Sequence, residues 1–370
     1  MYTHRAMYSK VRTSCAALLL VASTGCVVTP AEDDDDNATA DGPKQPPTED
    51  PQYQVPAWNE AGAVGYLDGR AAGWYQNREC ALSCHTTHPY LMVDLEVGPL
   101  GTASAIRGTV ESRVATFPAV ALWYDSSAQK EAESRGTEAI LNAFALAMRD
   151  ARGGTLNATT RDALSRLFAE QRSDGAWDWL NFALAPWESS DAVYLGACFA
   201  ALAIGSAPGY VESEAPAAGV ESLRGYLLQN LPQQHAHNKI MLLWADSAFP
   251  VLDDATRDGL IAETLAKRNA DGAFSLPALG NWDRFDGTQN DPTRSDGYAT
   301  GLVLHVLRTA GVPQTSPELQ AATSWLTTHQ ASDGSWQAWS VNKENVFNHG
   351  LVSDAATAYA ILGLRTMSRP

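Results

Sequence analysis

The chain has 370 residues, 45% hydrophobic and 18% charged, with a formal charge of −16. So acidic a balance argues against nucleic acid or an anionic lipid surface as a partner, since both demand basic patches. Five cysteines in a chain of this length do not make a disulfide framework.

Residues 1–25 carry Arg5, Lys10 and Arg12 and no acid, followed by the apolar run Ala16–Ala22. That run is too short for a bilayer and fits the core of a signal peptide. It leads into Ser23-Thr24-Gly25-Cys26, small residues ahead of a cysteine, the pattern a lipoprotein signal peptidase reads. The expectation is export, with Cys26 acylated and the protein held by a lipid anchor on the periplasmic or extracellular face of a membrane. Residues 26–56 read as a tether: the block Glu32–Asp36 is all acid and four prolines fall between Pro43 and Pro51. Such a segment cannot bury enough apolar surface to offset the entropy of ordering.

The remainder, 57–370, reads as one domain. Its first distinctive segment is Cys80-Ala-Leu-Ser-Cys84-His85-Thr-Thr-His88. Three chemistries stay open for it. Two cysteines and a following histidine are the elements of covalent c-type haem attachment, here with one residue more than the usual spacing. Two Cys and two His within nine residues also form a donor set for one metal ion. A small-loop disulfide is the third reading.

An internal repeat organises the rest. Gln171-Arg-Ser-Asp-Gly175-Ala-Trp177, Arg268-Asn-Ala-Asp-Gly272-Ala-Phe274 and Gln330-Ala-Ser-Asp-Gly334-Ser-Trp336 align without gaps. Each follows a helical stretch with one apolar stripe: 160–170, 253–267 and 317–329. Asp-Gly stops a helix because glycine accepts the left-handed conformation, and the aromatic two residues on can fold back as a plug. A second, almost wholly apolar helix follows each time, entered at Ser190-Asp191, Ser295-Asp296 and Ser353-Asp354. A helix apolar all round is a buried one. Weaker copies begin near Glu138 and Lys239, and one further step back lands on His85. Six inner helices, each paired with an outer one, predict an all-α fold, an α/α toroid.

Glu138, Asp191, Asp296 and Asp354 recur at one register and predict an acidic rim suited to protonation, cation holding or a metal, with His85 beside it. The same acids also suit the first turn of a helix as caps. Three loops between outer and inner helices should overhang this rim: Pro186-Trp187-Glu188, Trp282-Asp283-Arg284-Phe285-Asp286 and Asn342-Lys343-Glu344.

The Gln-x-x-x-Gly-x-Trp segments between paired helices resemble the repeats of squalene–hopene cyclases, and the toroid resembles that of protein prenyltransferase β subunits. Tyr66-Leu67-Asp68-x-Arg70, Ser83-Cys84-His85-Thr86, Pro186-Trp187-Glu188-Ser189, Asp296-Gly-Tyr-Ala-Thr-Gly301 and Asn342-Lys343 resemble a group of secreted squalene-cyclase-like proteins. The resemblance implies a central cavity that binds or transforms an isoprenoid-like or other hydrophobic molecule. It does not carry over the chemistry. The Asp-x-Asp-Asp of the cyclases occurs only within residues 33–36, and Tyr298 and Asp354 stand where prenyltransferases place zinc-binding Cys and His. The competing expectations are a haem or metal redox protein built on Cys80, Cys84, His85 and His88, and a non-catalytic lipid-binding module.

Overall fold

A computed structural model describes residues 53–77, 82–117, 119–343 and 346–369. Its helices are α1 (Glu60–Asn77), α2 (Thr87–Val97), α3 (Ala103–Thr116), α4 (Ala128–Gly153), α5 (Ala158–Ala169), α6 (Ala192–Ser206), the single turn α7 (Tyr210–Ser213), α8 (Ala217–Asn230), α9 (Ala236–Ala248), α10 (Asp254–Leu265), α11 (Gly297–Thr309), α12 (Pro317–Thr328) and α13 (Val346–Met367). The inner ring is α2, α4, α6, α9, α11 and α13, each packed on the next, and α13 packs back on α2. Six outer helices, α1, α3, α5, α8, α10 and α12, lie against this ring. The fold is the expected α/α toroid.

The repeat works as a set of buttresses. Gly175, Gly272 and Gly334 all sit in the left-handed region, at φ 91°, 90° and 89°. In each turn the preceding Asp accepts the amide two residues ahead: Asp174 from Ala176, Asp271 from Ala273 and Asp333 from Ser335, at 3.0–3.2 Å. The reversed chain drops an aromatic ring inward, and Trp177, Phe274 and Trp336 are fully buried. Trp177 Nε1 donates to the Leu167 carbonyl at 2.6 Å and Trp336 Nε1 to the Leu326 carbonyl at 2.8 Å. Each indole thereby adds a second donor to a carbonyl at the end of its outer helix, where Leu167 also accepts the Glu170 amide at 3.2 Å and Leu326 the His329 amide at 3.3 Å. Gly175 and Gly334 also lack room for a side chain. A β-carbon at Gly175 would strike the Ser222 carbonyl of α8, and one at Gly334 the Gly62 backbone of α1. Gln330 completes the closure, donating to the Asn59 carbonyl and accepting the Asn59 amide, both at 2.8 Å. The last repeat thus fastens onto the first helix.

Two expectations need correction. α4 and α13 start well upstream of the predicted entry points, so Glu138 and Asp354 lie inside helices and cannot cap them. Ser127 caps α4 instead, accepting the Lys130 amide at 3.2 Å. Residues 1–52 lie outside the described residues, and with them Cys26 and most of the tether. Of the tether's described end, Tyr53 and Val55 pack on the hydrophobic core.

The second correction concerns the middle of the ring, where a ligand cavity was expected. Aromatic side chains from five inner helices fill it. Phe144 meets Phe199 at 5.0 Å between ring centroids, Phe199 meets Trp244 at 6.4 Å, and Trp244 meets His305 at 5.1 Å and Tyr359 at 6.4 Å. Tyr359 then meets Tyr298 at 5.3 Å. Edge-to-face packing of this kind makes a dense core. Open space is found instead at the end where the inner helices begin.

Candidate active site

The loops at that end are sewn to one another by their own polar groups. Asn342 clamps the Ala185 peptide, accepting its amide at 2.9 Å and donating to its carbonyl at 2.7 Å. The Phe285 amide donates to the Asn342 carbonyl at 2.8 Å, and Arg284 donates to the Ser340 carbonyl at 3.0 Å. The three loops therefore form one rigid surface, and it is cut by a furrow.

The furrow has three compartments. One, of about 270 Å³, is walled by Trp74, Cys84, His85, Tyr124, Phe182 and Glu188. A narrow waist of about 50 Å³ shares His85, Leu184, Glu188 and Leu351 with it. The third, of about 320 Å³, meets the waist at Ser340 and is polar, with Arg284, Asp286, Asn290, Asp291, Arg294 and Trp339.

Glu188 is central to this arrangement. Its backbone is pinned in a tight reversal: its amide donates to the Leu184 carbonyl at 2.7 Å, and its carbonyl accepts the Phe182 and Leu184 amides at 2.9 and 2.8 Å. The side chain opens onto the furrow yet is ringed by protein. Burial pushes its carboxyl up to about 7, against the weaker opposing pull of the Cys84 thiol, which donates to Oε1 at 3.9 Å, and of Lys130. A carboxyl that keeps its proton near neutral pH is a proton donor in waiting.

His85 faces the same two compartments. Its Nδ1 lies 2.9 Å from Thr86 Oγ1, and Thr86 gives its only proton to Asp354 Oδ2 at 2.9 Å. The hydroxyl can therefore only accept from the ring, which places the imidazole proton on Nδ1 and leaves Nε2 as an acceptor. Asp354 is held by Arg70 at 2.6 and 3.0 Å and by Tyr66 at 3.1 Å. Burial, the Arg70 charge and His88 push the His85 pKa down to about 3, so the ring stays neutral. Trp74 meets it edge-on, with centroids 4.7 Å apart. Trp187, the neighbour of Glu188, is fixed by its indole N–H on Tyr298 Oη at 3.2 Å, and Tyr298 shares a 2.8 Å hydrogen bond with His237 Nε2.

The four recurring acids do not form a common rim. Asp354 joins His85 through Thr86, a pairing of predicted site residues that the fold brings about. Asp296 caps α11, accepting the Ala299 amide at 2.8 Å and the Leu276 amide at 2.5 Å, and burial raises it to about 7. Glu138 is clasped by Arg113. Asp191 is exposed and pairs with His235 at 3.1 Å. Among the described residues no three His, Cys, Asp or Glu side chains converge as a metal would require.

The Cys-His segment is likewise dispersed. Cys80 lies outside the described residues. Cys84 turns to Glu188, His85 to Thr86, and His88 Nδ1 to the Ser83 carbonyl at 3.0 Å inside the core. With Cys84, His85 and His88 pointing to separate partners, the haem and four-donor metal expectations are withdrawn. Glu188 and the furrow loops were legible only as loop residues over a mouth. What gives Glu188 its character is burial, and no local pattern announces that.

No family model matches the chain, and no curated protein does. Solved structures that resemble it include one titled "Glycosidase Wild Type", 13% identical, covering 85% of this chain and 87% of that one with a TM-score of 0.41. Another, titled as a point variant of a glycosidase, is 13% identical over 86% of this chain and 90% of that one, TM-score 0.42. A third, titled as a glycosidase variant in complex with glucose, is 13% identical over 84% and 85%, TM-score 0.40. These neighbours bear glycosidase titles rather than those of terpenoid cyclases or prenyltransferases, so the assignment to the terpenoid group is withdrawn. At this level of similarity the titles say nothing of this chain's chemistry. The isoprenoid and lipid-binding expectations go with that assignment, since the cavity they required is filled by aromatic side chains.

Proposed function

We propose that this protein is an enzyme using general acid catalysis on a neutral, polyhydroxylated ring compound, a carbohydrate in chemical class, with Glu188 as the proton donor. The observation that carries the reading is the Glu188 carboxyl, raised to about 7 by burial, on the wall of an aromatic-lined furrow. Breaking a C–O bond near neutral pH needs a proton on the departing oxygen, and an ordinary carboxyl has none to give. Water supplies the new bond to carbon, and its proton restores the acid. The lining fits such a ligand. Trp74, Tyr124 and Phe182 offer flat apolar faces for ring C–H groups, and Arg284, Asp286 and Asn290 offer fixed donors and acceptors for hydroxyls. His85 Nε2 is positioned as a neutral acceptor for a substrate hydroxyl or the attacking water. An export signal and a lipid anchor at Cys26 belong to the same proposal and rest on residues 1–26 alone. Mass analysis of the mature N-terminal peptide should find a diacylglyceryl group on Cys26, and an unmodified or uncleaved peptide removes that part.

The test is hydrolysis of a panel of neutral oligosaccharides and aryl glycosides, followed from pH 4 to 9. Turnover is expected to fall as pH rises through about 7, because the acid must be protonated to act. Stability should follow the same group. Its pKa lies above the ordinary 4.5, so the folded state binds this proton more tightly, and stability drains away as pH rises from about 4.5 to 7. Failure of every saccharide to bind or react overturns the reading.

A further inference from the structure

Outside the furrow, the structure holds a second polar compartment, between α2 and α4. Ser134, Glu138 and Asn142 stand four residues apart on one face of α4 and line a small cavity of about 20 Å³, with His88 of α2, Trp123 and Leu180 also in its wall. His88, Ser134 and Asn142 are 3%, 1% and 2% exposed, yet His88 Nε2, Ser134 Oγ and Asn142 Oδ1 make no hydrogen bond among the described residues. Buried polar atoms are almost always satisfied, and each one left unmet is costly. Three of them around one cavity ask for a common partner.

We propose that this cavity is a binding site for a single ordered water molecule. The size fits, because one water needs about 10–15 Å³ of such space. The hydrogen-bond inventory fits as well. His88 Nδ1 donates to the Ser83 carbonyl at 3.0 Å, which leaves Nε2 of the neutral ring as an acceptor, with the Leu141 carbonyl also beside the ring. Asn142 Nδ2 lies 3.5 Å from Glu138 Oε1, which sets the amide with Oδ1 as its unmet end, another acceptor. Ser134 is the hydroxyl donor. Water gives one proton to His88, the other to Asn142, and accepts the serine's. A metal cation would suit the two acceptors, but the Arg113 guanidinium already neutralises Glu138 in the cavity wall, donating to Oε2 at 2.7 Å and to Oε1. The site also bears on the furrow. Leu82, Thr137, Leu141 and Leu180 line both this cavity and the compartment holding Glu188. A water bridging α2 to α4 would hold the Cys84-His85 segment in place from behind.

The test pairs a crystal structure of the intact protein, at a resolution that shows ordered solvent, with the thermal midpoints of Ser134→Ala, Asn142→Leu and the double variant. The expected density is one water within hydrogen-bond reach of all three atoms. Each single substitution should lower the midpoint by about 2–4 °C, and the double by clearly less than their combined shift, because both act through one molecule. A cavity closed by rotated side chains, a metal found by anomalous scattering, or strictly additive midpoints each overturn the proposal.

Discussion

Glu188→Gln is expected to lower kcat for glycoside hydrolysis by about 10²–10⁴-fold, the range a positioned acid contributes, with little change in KM. Glutamine keeps the shape and the polar contact with the Cys84 thiol but has no proton to deliver to a leaving oxygen. The comparison carries internal checks. The alkaline fall in activity near pH 7 should vanish from whatever rate remains, and the loss of stability between pH about 4.5 and 7 should flatten, since the titrating group is gone. Substrates with good leaving groups, which need less protonation, should suffer least. A variant that hydrolyses poor-leaving-group substrates at the original rate would remove Glu188 from the chemistry, whatever else the furrow binds.

Trp336→Ala is expected to cost about 3–5 kcal/mol of stability, the range for deleting a large buried aromatic. The ring is fully buried, its N–H occupies the Leu326 carbonyl at 2.8 Å, and it packs 5.8 Å from Trp58, whose segment leads into α1. Its loss strikes the seam where the last repeat meets the first helix. Trp336→Phe should cost far less, about 1–2 kcal/mol, losing mainly the indole's hydrogen bond to the Leu326 carbonyl, which still accepts the His329 amide at 3.3 Å. The second repeat already carries that exchange, with Phe274 fully buried at the equivalent position. Trp325, partly exposed and stacked on His329 at 4.3 Å, serves as the control, with a small effect expected from Trp325→Ala. Urea unfolding measures all three. Equal costs for Trp336→Ala and Trp325→Ala would mean that the plug is not what holds the seam.

The two expectations differ in how visible their residues are in the chain. Trp336 stands out because its role is local: helix, Asp-Gly turn and plug fall within about ten residues, and backbone rules govern all of it. The same locality makes the alternation of striped and wholly apolar helices readable, and that alternation is sufficient for a double ring. Register within the inner helices was less legible. Glu138 and Asp354 look like cap residues until α4 and α13 are seen to start far upstream, at Ala128 and Val346. Nothing local marks those starts more strongly than the Ser-Asp steps do.

By itself, the sequence determined the fold class, the six-fold pairing, the positions of the turns and the residues that plug them, because each depends on a few consecutive side chains and on helical periodicity. Only the tertiary structure decided the site. Ring closure sets Asp354 of α13 against Thr86 and His85 at the start of α2, 268 residues apart in the chain. It joins the 185 loop to Asn342 across 157 residues, and that junction walls in Glu188. It also turns five inner helices' aromatic rings onto one another, closing the centre that a hollow ring would have left open. The proton affinity of Glu188 follows from how much water its neighbours exclude. That is a property of packing in three dimensions, and no stretch of sequence contains it.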